Sequence, residues 1–212
     1  MPEPETGRRI LPRFEMIRSF AAADFLTLAN GSCGAGTIFA LLQHIATAEL
    51  RWLWIAMSLS PFALFFDFAD GRFARWRRKS SALGADLDSL ADVISFGMAP
   101  AALGFAVGLR AVLDVAVLLY FVACGISRLA RFNATADQLS DESGKVKYFE
   151  GTPIPTSVLL VGVIAWLTAR HQIGTSLLFG VWNLGPLALH PLSLMYLVSG
   201  SAMISTIRIP KI

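Results

Sequence analysis

Apolar stretches long enough to cross a lipid bilayer alternate with short polar connections along most of the chain. A membrane-spanning helix needs roughly 20 mainly apolar residues. Five stretches approach that length, at residues 25–46, 52–66, 90–107, 111–126 and 154–167. A sixth, residues 177–204, is interrupted by Asn183, Pro186, His190 and Pro191, so it is either one long span or a short segment followed by a span. The pattern predicts an all-α integral membrane protein with six core transmembrane helices, and seven or eight segments stay open as alternatives.

The composition agrees with a membrane protein. Hydrophobic residues make up 55% of the 212-residue chain and charged residues 16%, and the mean hydropathy is +0.59. Soluble domains carry about 25% charged residues, so an ordinary soluble domain is disfavoured. Cys33 and Cys124 lie in apolar stretches without the spacing of a metal or redox motif. Both are therefore predicted to be buried thiols, not a disulfide or a metal site.

The basic residues are distributed unequally between the two sides of the predicted spans. All 18 Lys and Arg residues except Arg51, Arg110 and Arg170 fall in the two termini or in the connections after the second and fourth stretches. Because positive charge concentrates on the cytoplasmic side, both termini are predicted to be cytoplasmic. The bilayer is the expected partner, and no nucleic-acid partner is expected.

The N-terminal segment is basic and partly amphipathic between Arg8 and Ala22. Such a segment is typical of a helix that lies along the membrane surface. The predicted organisation is an interfacial segment at residues 1–22, one membrane domain at residues 23–207, and a short tail at residues 208–212.

Four aspartates lie at the ends of two neighbouring apolar stretches. Asp67 and Asp70 end the second stretch, and Asp88 and Asp92 begin the third. Spacings of three and four place each pair on one helix face. If the two helices pack side by side, the four carboxylates converge, and their mutual repulsion calls for a hard cation such as Mg²⁺, Mn²⁺ or Ca²⁺. A single aspartate would be read as a helix cap, but this set indicates a functional site.

Small residues and an arginine accompany the acids. Gly71 and Ala74 share a helix face with Asp67, and Gly84 lies one turn before Asp88. Small side chains let a ligand approach a helix, and the arginine at position 75 offers a fixed positive charge for a phosphate. Metal-binding acids, access and a phosphate-binding cation together favour phosphoryl transfer on a diphosphate substrate.

This stretch resembles the signature of the CDP-alcohol phosphatidyltransferase family, D-x2-D-G-x2-A-R-x8-G-x3-D-x3-D. The eight matching positions are Asp67, Asp70, Gly71, Ala74, Arg75, Gly84, Asp88 and Asp92. The resemblance implies a six-helix homodimer that binds two divalent cations, Mg²⁺ or Mn²⁺. It also implies that Asp67, Asp70 and Asp88 hold the metals. Asp92 would contact the second metal and act as the catalytic base on the attacking hydroxyl.

The resemblance also assigns residues to the CDP-linked lipid, from which such enzymes release CMP. Residues of the signature region implied to bind CDP-diacylglycerol are Gly71, Ala74, Arg75, Ser81 and Gly84. The stretch ADFLTLAN resembles the start of the family's first helix. It adds Asp24, Thr27 and Asn30 as residues that help to hold the nucleotide.

The acceptor alcohol is indicated by weaker patterns. SRLARFN (residues 127–133), FEGTPIPTS (residues 149–157) and the C-terminal SAMISTIRIPKI resemble the branch of the family that uses L-serine. A serine carboxylate needs a cation, and Arg128 and Arg131 are the candidates because an arginine can bind a carboxylate through two hydrogen bonds. Their alternative role is positive-inside anchoring. Glycerol 3-phosphate, inositol or its phosphate, and choline remain alternative acceptors, and a transporter or an inactive scaffold remain alternative functions.

Overall fold

The computed structural model describes residues 22–77, 82–139, 148–205 and 208–210. The predicted interfacial helix of the N-terminal segment and the candidate residue Ser81 lie outside this part. Side chains are described for most of these residues, with gaps at the ends of several elements.

Helices account for most of the described chain. The first four are α1 (Ala22–Thr47), α2 (Leu50–Arg77), α3 (Ala82–Asp92) and α4 (Ala99–Ala106), with a π-helix (Val93–Met98) joining α3 to α4. The remaining three are α5 (Val112–Leu139), α6 (Val158–Ala169) and α7 (Leu194–Met203). Because α3, the π-helix and α4 follow one another without a break, the described residues form six helical rods.

Four of these rods are long and apolar enough to cross a membrane. They cover Ala23–Thr47, Leu50–Arg72, Gly84–Ala106 and Val112–Ala134. A shorter apolar helix covers Ile154–Ala169. The prediction of a helical integral membrane protein is thus confirmed in its coarser form, with four candidate spans among the described residues, whereas the six predicted spans stay a prediction.

Two short antiparallel ribbons accompany the helices. One pairs β1 (Tyr148–Glu150) with β4 (Arg208–Pro210), and the other pairs β2 (Trp182–Leu184) with β3 (Leu187–Leu189). The last apolar stretch is therefore a short segment with a hairpin followed by a helix, rather than one long span. The strands were not predicted, because each is only three residues long and an alternating pattern is recognisable only over about four to eight residues.

Aromatic packing joins the later helices into one core. Phe121 of α5 and Tyr196 of α7 are fully buried, with ring centroids 5.3 Å apart in an edge-to-face arrangement. The Tyr196 hydroxyl donates a 2.8 Å hydrogen bond to the Pro100 carbonyl of α4. A buried tyrosine hydroxyl needs such a partner, so this contact fixes α7 against α4.

Large apolar side chains also cover the outside of the helical rods. Phe39, Leu159 and Val198 are 68%, 73% and 68% exposed. So much exposed apolar surface is unfavourable in water, but it is the expected surface of helices that contact lipid. The exposure therefore supports the assignment of the rods to a bilayer.

A close helix contact joins α1 to the π-helix. A Cβ atom placed on Gly34 would lie 2.7 Å from the Ser95 Cα and 2.8 Å from its backbone nitrogen. The Ser95 hydroxyl donates a 2.8 Å hydrogen bond to the Asn30 carbonyl. Glycine at such a position lets two membrane helices approach closely, and this approach brings α1 to the end of α3 that carries Asp92.

Gly34→Ala is expected to destabilise the protein by about 1–3 kcal/mol, as overpacked cores generally do, because the added methyl meets backbone atoms that cannot rotate away. Gly162→Ala is the matched control, since a Cβ there meets nothing within 4 Å among the described residues. Thermal unfolding in detergent micelles measures both variants. Equal melting temperatures for the two would contradict the close contact.

A buried aspartate joins two segments at the other end of the rods, away from Asp67, Asp70 and Asp88. Asp114, near the start of α5, is fully buried. Its Oδ1 accepts a 2.8 Å hydrogen bond from the His190 backbone N–H, and its Oδ2 accepts one of 3.0 Å from the Ala111 N–H. The His190 ring nitrogen Nδ1 lies 2.5 Å from Oδ2. Sequence reasoning gave Asp114 no role, and the structure shows that it ties the chain before α7 to the start of α5.

Candidate active site

The site lies where α2 ends and α3 begins. One carboxylate oxygen each from Asp67, Asp70 and Asp88 lie within 4.8 Å of one another. Asp70 is buried, and the other two are half-buried. The predicted convergence of the two helix ends is therefore present for these three acids. Asp92 is not one of the three, but its buried carboxylate is close enough to be repelled by them.

Helix α1 supplies hydrogen-bond donors to the acids. The Thr27 hydroxyl donates to Asp70 Oδ2 at 2.8 Å, and the Asn30 side-chain amide donates to Asp92 Oδ1 at 3.1 Å. Asp24 is buried and lies close enough to repel Asp70. The polar residues of ADFLTLAN thus face the aspartates of α2 and α3, which gives Thr27 and Asn30 an observed contact with the acids.

The chemistry of the three acids fits a divalent cation. Asp88 Oδ1 is buried and accepts no hydrogen bond from the described residues. Burying a carboxylate oxygen without a partner is costly, and three neighbouring carboxylates also repel one another. A hard cation with oxygen ligands would satisfy both requirements.

The candidate arginine Arg128 lies beside the acids. Arg128 on α5 is half-buried and close enough to Asp92 for a Coulomb attraction. Its guanidinium is 6.0 Å from the centroid of the Phe132 ring. Arg131 is exposed. Residues three apart lie on neighbouring parts of a helix surface, so the rotation of α5 about its axis decides which of the two arginines is the more buried.

Gly71, the residue after Asp70, has no close neighbour on its Cβ side within the described part of the chain. A Cβ on Gly71 would meet nothing within 4 Å among the described residues. Packing among the described residues therefore does not require a glycine there, whereas access for a ligand would. Gly84 is half-buried near the start of α3. The side chains of Ala74 and Arg75 lie outside the described part, although both positions belong to α2.

The structure adds two features that sequence reasoning missed. Asp92 is followed directly by the π-helix, a form frequently found at functional sites. The Asn133 side chain donates a 2.8 Å hydrogen bond to the Ser89 hydroxyl, which joins α5 to α3. The position of Asn133 within SRLARFN was the available signal, but the pattern did not indicate its partner.

Clustered carboxylates at the ends of membrane helices, with an arginine beside them, define a membrane-embedded enzyme site suited to metal ions and anionic substrates. The comparison with known families agrees. The sequence profile of the CDP-alcohol phosphatidyltransferases matches residues 20–190, and the chain belongs to this family. Transporters are thereby disfavoured as its class, and the divalent-metal dependence general to the family agrees with the chemistry of the acid cluster.

Individual relatives cover most of the chain. It is 42% identical over 202 residues to the CDP-diacylglycerol–serine O-phosphatidyltransferase of Saccharomyces cerevisiae, covering 93% of this chain and 73% of that protein. Proteins of the same name from Mycobacterium leprae and Methanocaldococcus jannaschii are 37% and 32% identical. Those alignments cover 87% and 82% of this chain, and 56% and 72% of the relatives.

Proposed function

We propose that the protein transfers a phosphatidyl group from CDP-diacylglycerol to the hydroxyl of L-serine, giving phosphatidylserine and CMP. The observation that carries the proposal is the convergence of Asp67, Asp70 and Asp88 next to Asp92. The acceptor comes from the names of the relatives and from the patterns that resemble the serine-using branch.

The acids are proposed to hold two divalent cations, Mg²⁺ or Mn²⁺. Asp67, Asp70 and Asp88 would be the main ligands, and Asp92 would contact the second ion. When bound, such ions neutralise the diphosphate and make its phosphorus more open to attack. The hydrogen bond from Thr27 to Asp70 would hold that carboxylate in place for binding.

The CDP-lipid is proposed to lie along the ends of α2 and α3. The open space at Gly71 supports a close approach of the diphosphate there. Ala74 and Gly84 would leave room for the ligand, and Arg75 and Ser81 would bind its polar part. The acyl chains would stay in the lipid, in contact with the exposed apolar faces of the helices.

L-Serine is proposed to bind between Arg128 and Asp92. The guanidinium of Arg128 would bind the serine carboxylate through charge-assisted hydrogen bonds, with Arg131 as a second cation one turn further along. Since Arg128 already lies near Asp92, a serine held there would place its hydroxyl close to the aspartate.

Asp92 is proposed to be the general base. Asn30 holds one of its oxygens, which leaves the other oxygen to accept the hydroxyl proton of serine. The serine oxygen then attacks the lipid-linked phosphorus, a new O–P bond forms, and the bond from phosphorus to the CMP oxygen breaks. Asn30 would act as a positioning residue, because it orients the base without touching the substrate.

Asn30→Ala is expected to lower kcat about tenfold, the scale of one lost hydrogen bond to a charged group, with little change in the KM for CDP-diacylglycerol. Steady-state CMP release over a range of both substrates measures the two constants. A raised KM for CDP-diacylglycerol with an unchanged kcat would instead favour the family-based role, in which Asn30 holds the nucleotide.

Arg128→Ala is expected to raise the KM for serine about 10- to 100-fold, because a lost charge-assisted contact costs about 1.5–3 kcal/mol. Arg131→Ala should raise it less, since that side chain is exposed. Arg170→Ala is the control for the loss of an arginine. Like Arg131, Arg170 is exposed, but its guanidinium lies over the Trp166 ring at the end of α6 away from the aspartates. An unchanged serine KM in Arg128→Ala would contradict the carboxylate contact.

The membrane arrangement is part of the same proposal. We propose that the shorter rods, Ile154–Ala169 and α7, also cross the bilayer, which makes six spans in a domain of residues 23–207. Both termini and the aspartates would then face the cytoplasm, as the distribution of basic residues predicts. A homodimer is proposed from family membership.

The test is CMP release by the purified protein with CDP-diacylglycerol and Mg²⁺ or Mn²⁺. L-Serine is compared with glycerol 3-phosphate, inositol, inositol phosphate and choline. Release that depends on serine supports the proposal. Release with another acceptor would retain the family chemistry and reject serine, and no release with any acceptor would favour an inactive scaffold.

A further inference from the structure

The segment before α7 contains no acidic or basic side chain other than histidine. Between Arg170 and Arg208 the sequence has no Asp, Glu, Lys or Arg. The first part of this stretch, residues 174–190, is called the hairpin segment here and contains β2 and β3. It is not one of the candidate spans, so its lack of charge needs another explanation.

The hairpin segment exposes large apolar side chains. Phe179 is 70% exposed and Trp182 53% exposed, and Val181 and Leu187 are exposed as well. Phe179 also has a φ of 69°, a left-handed conformation that is unfavourable for a residue of its size. Because Phe179 is mostly exposed, its burial against the described residues does not offset this backbone strain.

Local contacts hold the hairpin segment in place. At its start, the Gly174 N–H donates a 2.7 Å hydrogen bond to the Val107 carbonyl. At its end, the His190 backbone N–H donates to Asp114. The hairpin turn has Gly185 at its first central position with a φ of 66°, as a tight two-residue turn requires. The apolar side chains are thus presented by a fixed scaffold.

The depth of the segment follows from its neighbours. Val107 and Asp114 flank the connection between α4 and α5, at the end of the rods opposite to the aspartates. Three arginines at this end each lie over an aromatic ring, with guanidinium-to-centroid distances of 5.4, 5.4 and 5.1 Å for Arg51–Trp52, Arg110–Phe105 and Arg170–Trp166. Aromatic rings and long cationic side chains of this kind mark a membrane–water interface.

We propose that the hairpin segment is a lipid-binding surface that inserts Phe179, Val181, Trp182 and Leu187 into the bilayer interface on the side opposite to the aspartates. Its lack of charge matches the acyl boundary, and its position continues the lipid-facing surface of the rods. Helices that lie in this interface bury their apolar side about 5–10 Å into the headgroup and acyl boundary, and a similar depth is expected for these four side chains.

A polarity-sensitive fluorophore on a single cysteine tests this proposal. The full chain carries Cys33→Ala and Cys124→Ala, with either Trp182→Cys or Glu49→Cys, and is reconstituted into phosphatidylcholine vesicles. Glu49 is the matched control because it is an exposed, charged residue at the same end of the rods. Nitroxide-labelled phosphatidylcholine probes lipid contact, and iodide probes water contact.

The label at position 182 is expected to emit at shorter wavelength and to be quenched several-fold more by nitroxide lipid than the label at position 49. The label at position 49 should be quenched more by iodide. Strong iodide quenching at position 182 would overturn the proposal. Protection from both quenchers, with cross-linking between two copies through position 182, would also overturn it and identify a second chain as the occupant.

A second measurement avoids the cysteine replacements. Brominated phosphatidylcholine quenches tryptophans that contact lipid, so the quenchable emission of the otherwise unmodified protein should fall in Trp182→Phe. The difference between the two proteins isolates Trp182 from the other four tryptophans. No difference in quenchable emission would contradict insertion, even if the cysteine variants fold poorly.

Discussion

Asp92→Asn is expected to lower kcat by about two to four orders of magnitude, the range that a general base contributes. Asparagine has nearly the same shape as aspartate but cannot accept the serine proton. The Asn30 amide that donates to Asp92 Oδ1 can still donate to the asparagine oxygen, so the local packing should survive. CMP release in the presence of saturating serine measures the change.

Asp86→Asn is the matched control for that experiment. Asp86 lies on the same helix α3, six residues before Asp92, and its side chain is exposed. The same chemical change there should leave kcat within about twofold, as expected for a surface substitution away from a functional group. Comparable kcat values for wild type and Asp92→Asn would reject Asp92 as the base. A loss of CDP-lipid binding in Asp92→Asn would indicate that its main role is to bind metal.

Asp88→Asn is expected to abolish metal-dependent activity and to change stability in a characteristic way. Asp88 contributes one of three clustered carboxylate oxygens, and its buried Oδ1 accepts no hydrogen bond within the described residues. Removing its charge relieves repulsion when no metal is bound, so the variant should melt at a higher temperature than wild type in EDTA. Each kcal/mol gained raises the melting temperature by about 2–4 °C for a protein of this size.

Added Mn²⁺ separates this effect from a general stabilisation. Wild type should gain thermal stability with Mn²⁺, because a ligand that binds only the folded state stabilises it. Asp88→Asn should gain far less, whereas Asp86→Asn should respond like wild type. If Mn²⁺ stabilises Asp88→Asn and wild type equally, the acid cluster is not the metal site. EDTA should also abolish wild-type CMP release, and added Mn²⁺ or Mg²⁺ should restore it.

The convergence of the acids was predictable because it depends on local rules. Spacings of three and four place Asp67 with Asp70, and Asp88 with Asp92, on one face of their helices. A short connection between two apolar stretches then brings the two faces together. For the same reason the long helical rods were predicted, since each one is a continuous apolar stretch.

The support of Asp92 by Asn30 was not predictable in the same way. These residues are 62 positions apart, and their contact depends on how closely α1 approaches the π-helix at Gly34. A π-helix has a wider turn than an α-helix. The helix face that the spacing of Asp88 and Asp92 defines therefore cannot be extrapolated to residues after Asp92, where the π-helix begins. The pattern of polar residues could indicate that Asn30 was functional, but not which group it contacts.

The different settings of Arg128 and Arg131 show a similar limit. Both arginines follow the same apolar stretch, and charge counting treats them alike. Which of them is the more buried depends on the rotation of α5 about its axis, and packing against α3 and α7 sets that rotation. The β2–β3 hairpin was missed for another reason, because its strands have only three residues each, which is too short for the alternation by which strands are recognised.

The close contact between Gly34 and Ser95 has a consequence for how a lipid reaches the aspartates. Since the seam between α1 and the π-helix has no room for a single methyl group, it has none for an acyl chain. A substrate that diffuses in the plane of the bilayer must therefore arrive through a different opening between the rods. The contact between Gly34 and Ser95 therefore closes the gap between α1 and the π-helix to lipid. It restricts the direction in which the two fatty acyl chains can extend away from the reacting phosphate.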